Sequence, residues 1–488
     1  MKIEVQANRQ KQNSERQTPW KSVSLCFLIQ ILNGIQFSIY FTSLWPYLTT
    51  LEPKAKMSFF GWIMAIFSIG QMCSSWIFGF WNQKTMSTRQ PAICGLMFSA
   101  VGNVIYGLLP LLPSHRDWCM LFARFLTGFG SGTMSVIRSY CAMASARKDL
   151  PKVMPLVVGS FVLGICLGPS IQSIFVPIGK EGFYAGFIKI NVYTAPAFAM
   201  VLVSLLSTSL LLFVFGEDYS GVISKDVKSN PYFVLPKFDR IAAVVCIYMY
   251  FLQQMCSTSV EVMSSPLTIS MYNWTNKKAL LYNGTLQTIA CGIDIISYFL
   301  ISFTKFQKVD KRYLLLISLS LFIVYQLFLL PWPFYNGPLQ YIKLAPNSTH
   351  EDTEYSGGCY RRYRWCATSR RVPLPIYVLG STTVLSLAFP FLAASVGILY
   401  SQILGPRKQG VMQGINEFFG CFARCVTPVI QSALFEHFGY LPTYLMNLVL
   451  LSIGLLSLVV FYGRMKPLRM KPKIGVATAY KRGVFYRF

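Results

Sequence analysis

The stretch Arg124-Phe-Leu-Thr-Gly128-Phe-Gly130-Ser-Gly132-Thr-Met-Ser135-Val-Ile-Arg138-Ser-Tyr140 sets two arginines among small and apolar residues, in the middle of a longer apolar run. At about 100° per helical residue, positions 124, 128, 131 and 135 fall on one stripe, and Arg138 lies within about 40° of it. An unpaired arginine facing lipid is costly, so this stripe is expected to face a bundle interior or a water-filled cavity. The alternative is that both arginines sit near the ends of the span and extend to the headgroups.

The run is one of many. The 488 residues are 53% apolar and only 13% charged, with a mean hydropathy of +0.46, a composition that excludes an ordinary soluble domain. The apolar residues gather in lengths of roughly twenty, enough to cross a ~30 Å hydrocarbon core. Spans are expected at about 22–45, 57–81, 91–112, 117–144, 153–177 and 192–215, then at 241–268, 278–304, 312–333, 374–401, 411–436 and 441–463. The fold class is therefore all-α integral membrane, twelve transmembrane helices in two six-helix halves. The N-terminal tail is 1–21, the first half 22–215, the central loop 216–240, and the second half 241–463 with an outer loop at 334–373. A basic tail, 464–488, follows.

The first apolar run is span-length and follows a charged tail, so it reads as a retained signal anchor rather than a cleaved signal. Lys and Arg gather in the tails and in the loops on the same side, which places both termini in the cytoplasm. The sequons at Asn273, Asn283 and Asn347 then fall on or near the outer, luminal face, where glycosylation occurs. Of the thirteen cysteines most lie inside spans as small buried hydrophobes. Cys359 and Cys366 flank a basic aromatic stretch in the outer loop and are candidates for a local disulfide, although sequence does not fix the pairing.

The net charge of +26 is explained by this topology and by anionic inner-leaflet lipid, so no nucleic acid is expected as partner. The tail after Arg464 reads as a disordered basic strip lying against that leaflet. His115, His350 and His437 have no second ligand at zinc spacing, and no phosphate-cradling GxxxxGK[ST] run is present. No metal, cofactor or enzyme chemistry is expected, and the chain is read as a monomer.

Glycine spacing is informative because close packing through small residues drives helix association in lipid. In the fifth span Gly159-Ser-Phe-Val-Leu-Gly164-Ile-Cys-Leu-Gly168-Pro169 puts Ser160, Gly164 and Gly168 on one face, and Pro169 removes a helical hydrogen bond and invites a hinge. Gly128 and Gly132 offer the same close packing in the fourth span. The Arg124–Gly132 run resembles the fourth-helix motif of the major facilitator superfamily, and Gly159–Pro169 resembles its fifth-helix motif. Between the second and third spans, Gly79-Phe-Trp-Asn-Gln83-Lys84 keeps the glycine and one basic residue of a third motif but has Gln83 where an aspartate is expected. Within the superfamily, Arg124–Tyr140 resembles the lysosomal branch called major facilitator superfamily domain-containing protein 8, linked to a neuronal ceroid lipofuscinosis. The resemblance implies the twelve-helix fold, an endolysosomal membrane, and movement of chloride or another anion. As sorting signal the sequence offers only the weak tyrosine motif Tyr219-Ser-Gly-Val222.

In the second half four charges lie within spans: Glu261, Asp294, Glu417 and Arg424. Glu417 and Arg424 are seven residues apart, two turns on one face, and too distant to pair directly. The functional reading has Arg124, Arg138 and Arg424 attracting a small anion while Glu261, Asp294 or Glu417 exchanges a proton to couple or gate movement, since carboxyls kept from water hold protons more readily. The alternative is that these charges form interhelical ion pairs that hold the halves together. A permease for chloride, by a channel or by proton-coupled alternating access, is the leading expectation. A transporter of another solute such as phosphate, and a non-transporting scaffold or sorting protein, stand beside it.

Overall fold

A computed structural model describes residues 17–40, 43–52, 57–146, 148–179, 181–185, 188–220, 222, 237–342, 357–361, 363–468, 478–481 and 484–487. Among these, eleven helices are long and apolar enough to cross a membrane. The remaining span is the first, Trp20–Ser38 followed by Leu44–Leu51. Its lower hydropathy has a structural cause: Gln30, Asn33 and Gln36 interrupt the apolar run and are turned into the bundle. Gln36 and Asn103 exchange side-chain amide hydrogen bonds of 3.2 and 2.6 Å, the Tyr40 hydroxyl donates to Asn103 Oδ1 at 2.8 Å, and Asn33 donates to Thr133 Oγ1 at 3.4 Å. These groups are satisfied by protein rather than exposed to lipid, whereas the Gln30 amide is buried without a hydrogen-bond partner.

Spans two to six are Met57–Thr85, Arg89–Leu108, the pair Arg116–Gly130 and Thr133–Ala144, Leu150–Ile174, and Thr194–Phe213. Spans seven to twelve are Arg240–Tyr272, Asn276–Phe303, Lys311–Phe328, the composite Leu374–Leu404, Gly410–Phe438 and Tyr440–Val460. The fourth span tightens at its glycines, where Gly132 N bonds Phe129 O and Ser135 N bonds Gly132 O, three residues back in each case. The tenth carries a π-turn at Gly380–Val384. Two hairpins depart from the all-helical reading. Phe183–Ala185 pairs with Ile188–Ile190 between spans five and six, and Thr478–Lys481 pairs with Val484–Arg487 in the tail that was expected to be a disordered strip.

Small residues bring the helices together. Any side chain on Gly164 would run into Ile31 O and the Gly34 backbone, and one on Gly168 would meet the Ser38 hydroxyl, so the fifth span lies directly on the first. Gly128 lies against Phe67 O and Gly132 against Ser74, which seats span four on span two. The fifth span continues as helix through Pro155 and Pro169. One large apolar cluster fills the second half, and two smaller ones fill opposite ends of the first. The halves meet where span two packs on span eleven and span five on spans eight and ten.

Both described termini lie at one end of the bundle, here the tail end. Thr18 bonds Asp149 and Ala146 there, and Leu468 N bonds Gln402 O at 3.0 Å. At the opposite, loop end, Cys359 and Cys366 form a disulfide, both fully buried, and Trp365 stacks edge-on against Phe435 and Tyr440. Asn273 caps span seven and donates to Gln340 Oε1 at 2.6 Å. Asn283 lies inside span eight, and its amide donates to Ser264 O and Thr268 Oγ1, so a sugar there would have to displace both bonds. Asn347, His350 and residues 1–16 lie outside the described residues.

Candidate functional site

Two of the six intramembrane charges pair with each other across the seam between the halves. Arg138 stands on the second segment of span four, in which all twelve residues are buried. It meets Glu417, two turns into span eleven, with Nη1 donating to Oε2 at 2.6 Å. The same nitrogen donates to the Tyr250 hydroxyl of span seven at 2.7 Å, and that hydroxyl donates to Glu417 Oε2 at 2.9 Å. Gln71 of span two completes the cluster, its amide donating to Glu417 Oε1 at 3.2 Å. Glu417 is 5% exposed, so the pair is withdrawn from water and depends on this geometry for its stability. Of the two expectations for Arg138, anion attraction and an interhelical ion pair, the geometry shows the pair: its charge is neutralised within the protein, and neither arginine of span four extends to the headgroups.

Arg424 also has a partner. Its Nη2 lies 3.9 Å from Glu261 Oε2, a longer pair with a half-exposed acid that accepts from Ser257 Oγ at 3.2 Å. The guanidinium carbon sits 4.3 Å from the centre of the Phe37 ring in span one. Phe37 packs on Phe67 of span two at 5.5 Å, and the Phe67 ring receives the Arg124 guanidinium at 4.7 Å. Two arginines from opposite halves therefore each contact one ring of a packed pair of phenylalanines.

Arg124 differs from the other two. It is 2% exposed, its Nε and Nη1 have no hydrogen-bond partner, and its contacts are the rings of Phe67 and Tyr40. The Tyr106 hydroxyl, whose ring lies 4.7 Å from that of Tyr40, is likewise buried and unpartnered. Native proteins pair nearly all such donors. The first half thus holds a group of unused donors beside aromatic faces, a chemistry that accepts an anion.

Asp294 lies apart, in span eight, with Oδ1 buried and unpartnered and with no ion pair among the described residues. It neighbours Cys291 and faces Cys166 of span five. Among the described residues no three histidine, cysteine or acidic side chains gather at metal distance. A cavity of about 120 Å³ opens at the tail end between Ser145 and Leu150 of the first half, Gln402 and Gln409 of the second, and Leu468; none of the three arginines lines it.

Sequence reasoning passed over Gln71, Tyr250, Phe37 and Phe67. Gln71 carried a signal, a lone amide midway along the apolar run of span two. The aromatics carried none, because rings are common throughout these spans. Gln83, standing where the resembled motif has an aspartate, still engages span eleven: its Oε1 accepts from Val411 N at 3.0 Å and its backbone oxygen from Lys408 Nζ at 3.2 Å. The departure from the motif at this corner therefore removes a charge and keeps the contact between spans two and eleven. The Tyr219 of the weak sorting motif is folded against the body, its hydroxyl accepting from Thr88 N and its ring meeting Tyr140.

The family profile described as Major Facilitator Superfamily matches residues 26–345. The chain is 30% identical over 472 residues to major facilitator superfamily domain-containing protein 8 of Xenopus laevis, with 92% of each covered. Among solved structures, the human organic anion transporter MFSD10 (TETRAN) aligns over 91% of this chain and 100% of its own at a TM-score of 0.63 and 14% identity. The proton:xylose symporter XylE aligns over 92% and 97% at 0.63 and 13%, and the E. coli fucose:proton symporter FucP over 91% and 98% at 0.58 and 13%.

Proposed function

Because the chain belongs to the major facilitator superfamily, we propose that it is a permease for a small anion, chloride first, in an endolysosomal membrane with both termini in the cytoplasm. The observation that carries this reading is Arg124, a buried guanidinium with two unused nitrogens inside a bundle whose other two arginines are already paired with acids. An isolated cation at that depth is costly, and a diffusible anion is the partner that would relieve the cost. Arg424, held only loosely by Glu261 and resting on the Phe37 ring that packs against Phe67, is the second receiving group from the opposite half. Glu417 and Arg138 form the lock between halves, and Asp294, the acid with a buried unpartnered oxygen, carries the coupling proton.

Alternating access fits this arrangement better than a continuous pore. The tail end of the seam is sealed by contact of Gly79 with Gly410 and of Ser75 with Gly414, by the Gln83–Val411 bond and by the buried pair above it. A route with one end shut must open it by moving one half against the other. The test is anion flux by patch-clamp of enlarged endolysosomes and by uptake into proteoliposomes, under chloride, phosphate and proton gradients. Arg124→Gln is expected to reduce flux at least tenfold while Asp294→Asn abolishes its dependence on the proton gradient. If no gradient drives flux through the wild-type protein and Arg124→Gln leaves the cellular phenotype intact, the permease reading is lost and the scaffold reading takes its place.

A further inference from the structure

The seam between spans five and eight contains a feature that anion movement does not use. Gly159 of span five meets Tyr298 of span eight so closely that a Cβ on the glycine would lie 2.9 Å from Tyr298 Cβ. The two helices run in opposite directions. Seven residues on from Gly159 stands Cys166, and seven residues before Tyr298 stands Cys291, both displaced toward the loop end. Seven residues are two helical turns, about 10.5 Å on each helix, so the register that joins Gly159 to Tyr298 also brings the two thiols face to face. The two thiols are neighbours across the seam, and Gln287 Nε2 donates to Cys291 Sγ at 3.8 Å. Both cysteines are free; Cys291 is buried, and Cys166 is partly open.

We propose that Cys166 and Cys291 are an oxidisable pair whose disulfide fastens the first half of the molecule to the second. The step needs a two-electron oxidant that enters the membrane, and hydrogen peroxide has that chemistry. One thiolate attacks a peroxide oxygen and becomes a sulfenic acid with release of hydroxide, which takes up the proton of the thiol. The second sulfur then displaces the sulfenic oxygen, which leaves as water. Two thiols and one peroxide thus give one disulfide and two waters, with two electrons passing from the sulfurs to the peroxide. Other sulfur pairs are close among the described residues, Cys26 with Cys141, Cys421 with Cys425 and Cys359 with Cys366, but each lies within a single half and cannot fasten the halves to one another. The effect on flux rests on the permease reading above; the bond itself does not.

The two claims separate in one experiment. A protease site is placed in the central connection at 223–236 of the full-length protein, which is then reconstituted, treated with hydrogen peroxide, alkylated and cleaved. The halves are expected to migrate together on a non-reducing gel and to separate with dithiothreitol, with Cys166→Ser or Cys291→Ser each abolishing the joined band. Peptide mass spectrometry should find the Cys166–Cys291 bond. Flux through the oxidised wild-type protein is expected to fall at least fivefold and to return on reduction, while either serine variant is insensitive. A joined band no stronger than in the serine variants overturns the pairing, and a joined band with unchanged flux overturns the fastening. Absence of flux in reduced wild type and serine variants alike, with the bond present, overturns the permease reading and leaves the pair standing.

Discussion

Glu417 and Arg138 show how far a single substitution can reach, because among the described residues each is the other's only charged partner in a buried setting. Glu417→Gln leaves a guanidinium uncompensated, at a cost of about 3–5 kcal/mol. A marked drop in melting temperature is expected by tryptophan fluorescence in detergent, whereas Arg138→Met with Glu417→Leu together should recover most of it. Additive losses in the double variant would mean that the pair is not energetically coupled. Asp239 gives the residue scale a second test. Burial acts to raise its carboxyl, but the Arg464 fork at 2.8 and 3.1 Å and the Ile241 amide outweigh it and hold the group below the usual carboxylate range. A folded value below the unfolded one, about 3.9, means that the stabilisation is complete above that pH and is lost only as the pH falls through the lower folded value. Asp239→Asn should therefore cost the same at pH 7.5 as at about pH 5, measured as the difference in melting temperature from wild type. The sequence marked every one of the intramembrane charges as expensive. It could not assign partners, because Glu417 lies 279 residues from Arg138 and only packing decides which acid meets which base.

The spans were legible as elements because lipid imposes a length and an apolar composition that few other structures satisfy. Their interruptions were not. The tightening at Gly130–Gly132 and the π-turn at Gly380–Val384 depend on what neighbouring helices demand, and the short hairpin at Phe183–Ile190 has too few residues to show a period. The glycine faces of spans four and five were readable, since close approach leaves no alternative to a missing side chain. Gly164→Leu should separate span five from span one and abolish the folded peak in size-exclusion chromatography; a normal peak would place the contact elsewhere. Gln83 offers the opposite change. From span two its side chain reaches the first turn of span eleven, where an anion is favoured by the backbone amides, so Gln83→Asp is expected to stabilise the sealed end by about 0.3–1 kcal/mol. A lower melting temperature in that variant would contradict the assignment of Gln83 as a helix-terminus acceptor.

For the molecule as a whole, the seam defines one conformer, shut where the termini lie. Ser145 lines the tail-end cavity and is buried, so a cysteine placed there in a background lacking reactive thiols should label slowly with an impermeant maleimide. Adding Glu417→Gln should speed that labelling several-fold by releasing the lock; unchanged labelling would separate the buried pair from the movement of the halves. The end of the chain belongs to the same closure. Past span twelve, Met465 and Leu468 are buried, and Leu468 fills the space over Gly405 while its amide bonds Gln402. Anyone trimming this protein for crystallisation should stop cutting well after Leu468: a stop codon at Arg464 would strip a cork from the neck between spans ten and eleven, whereas a fluorescent fusion beyond Phe488 leaves it seated.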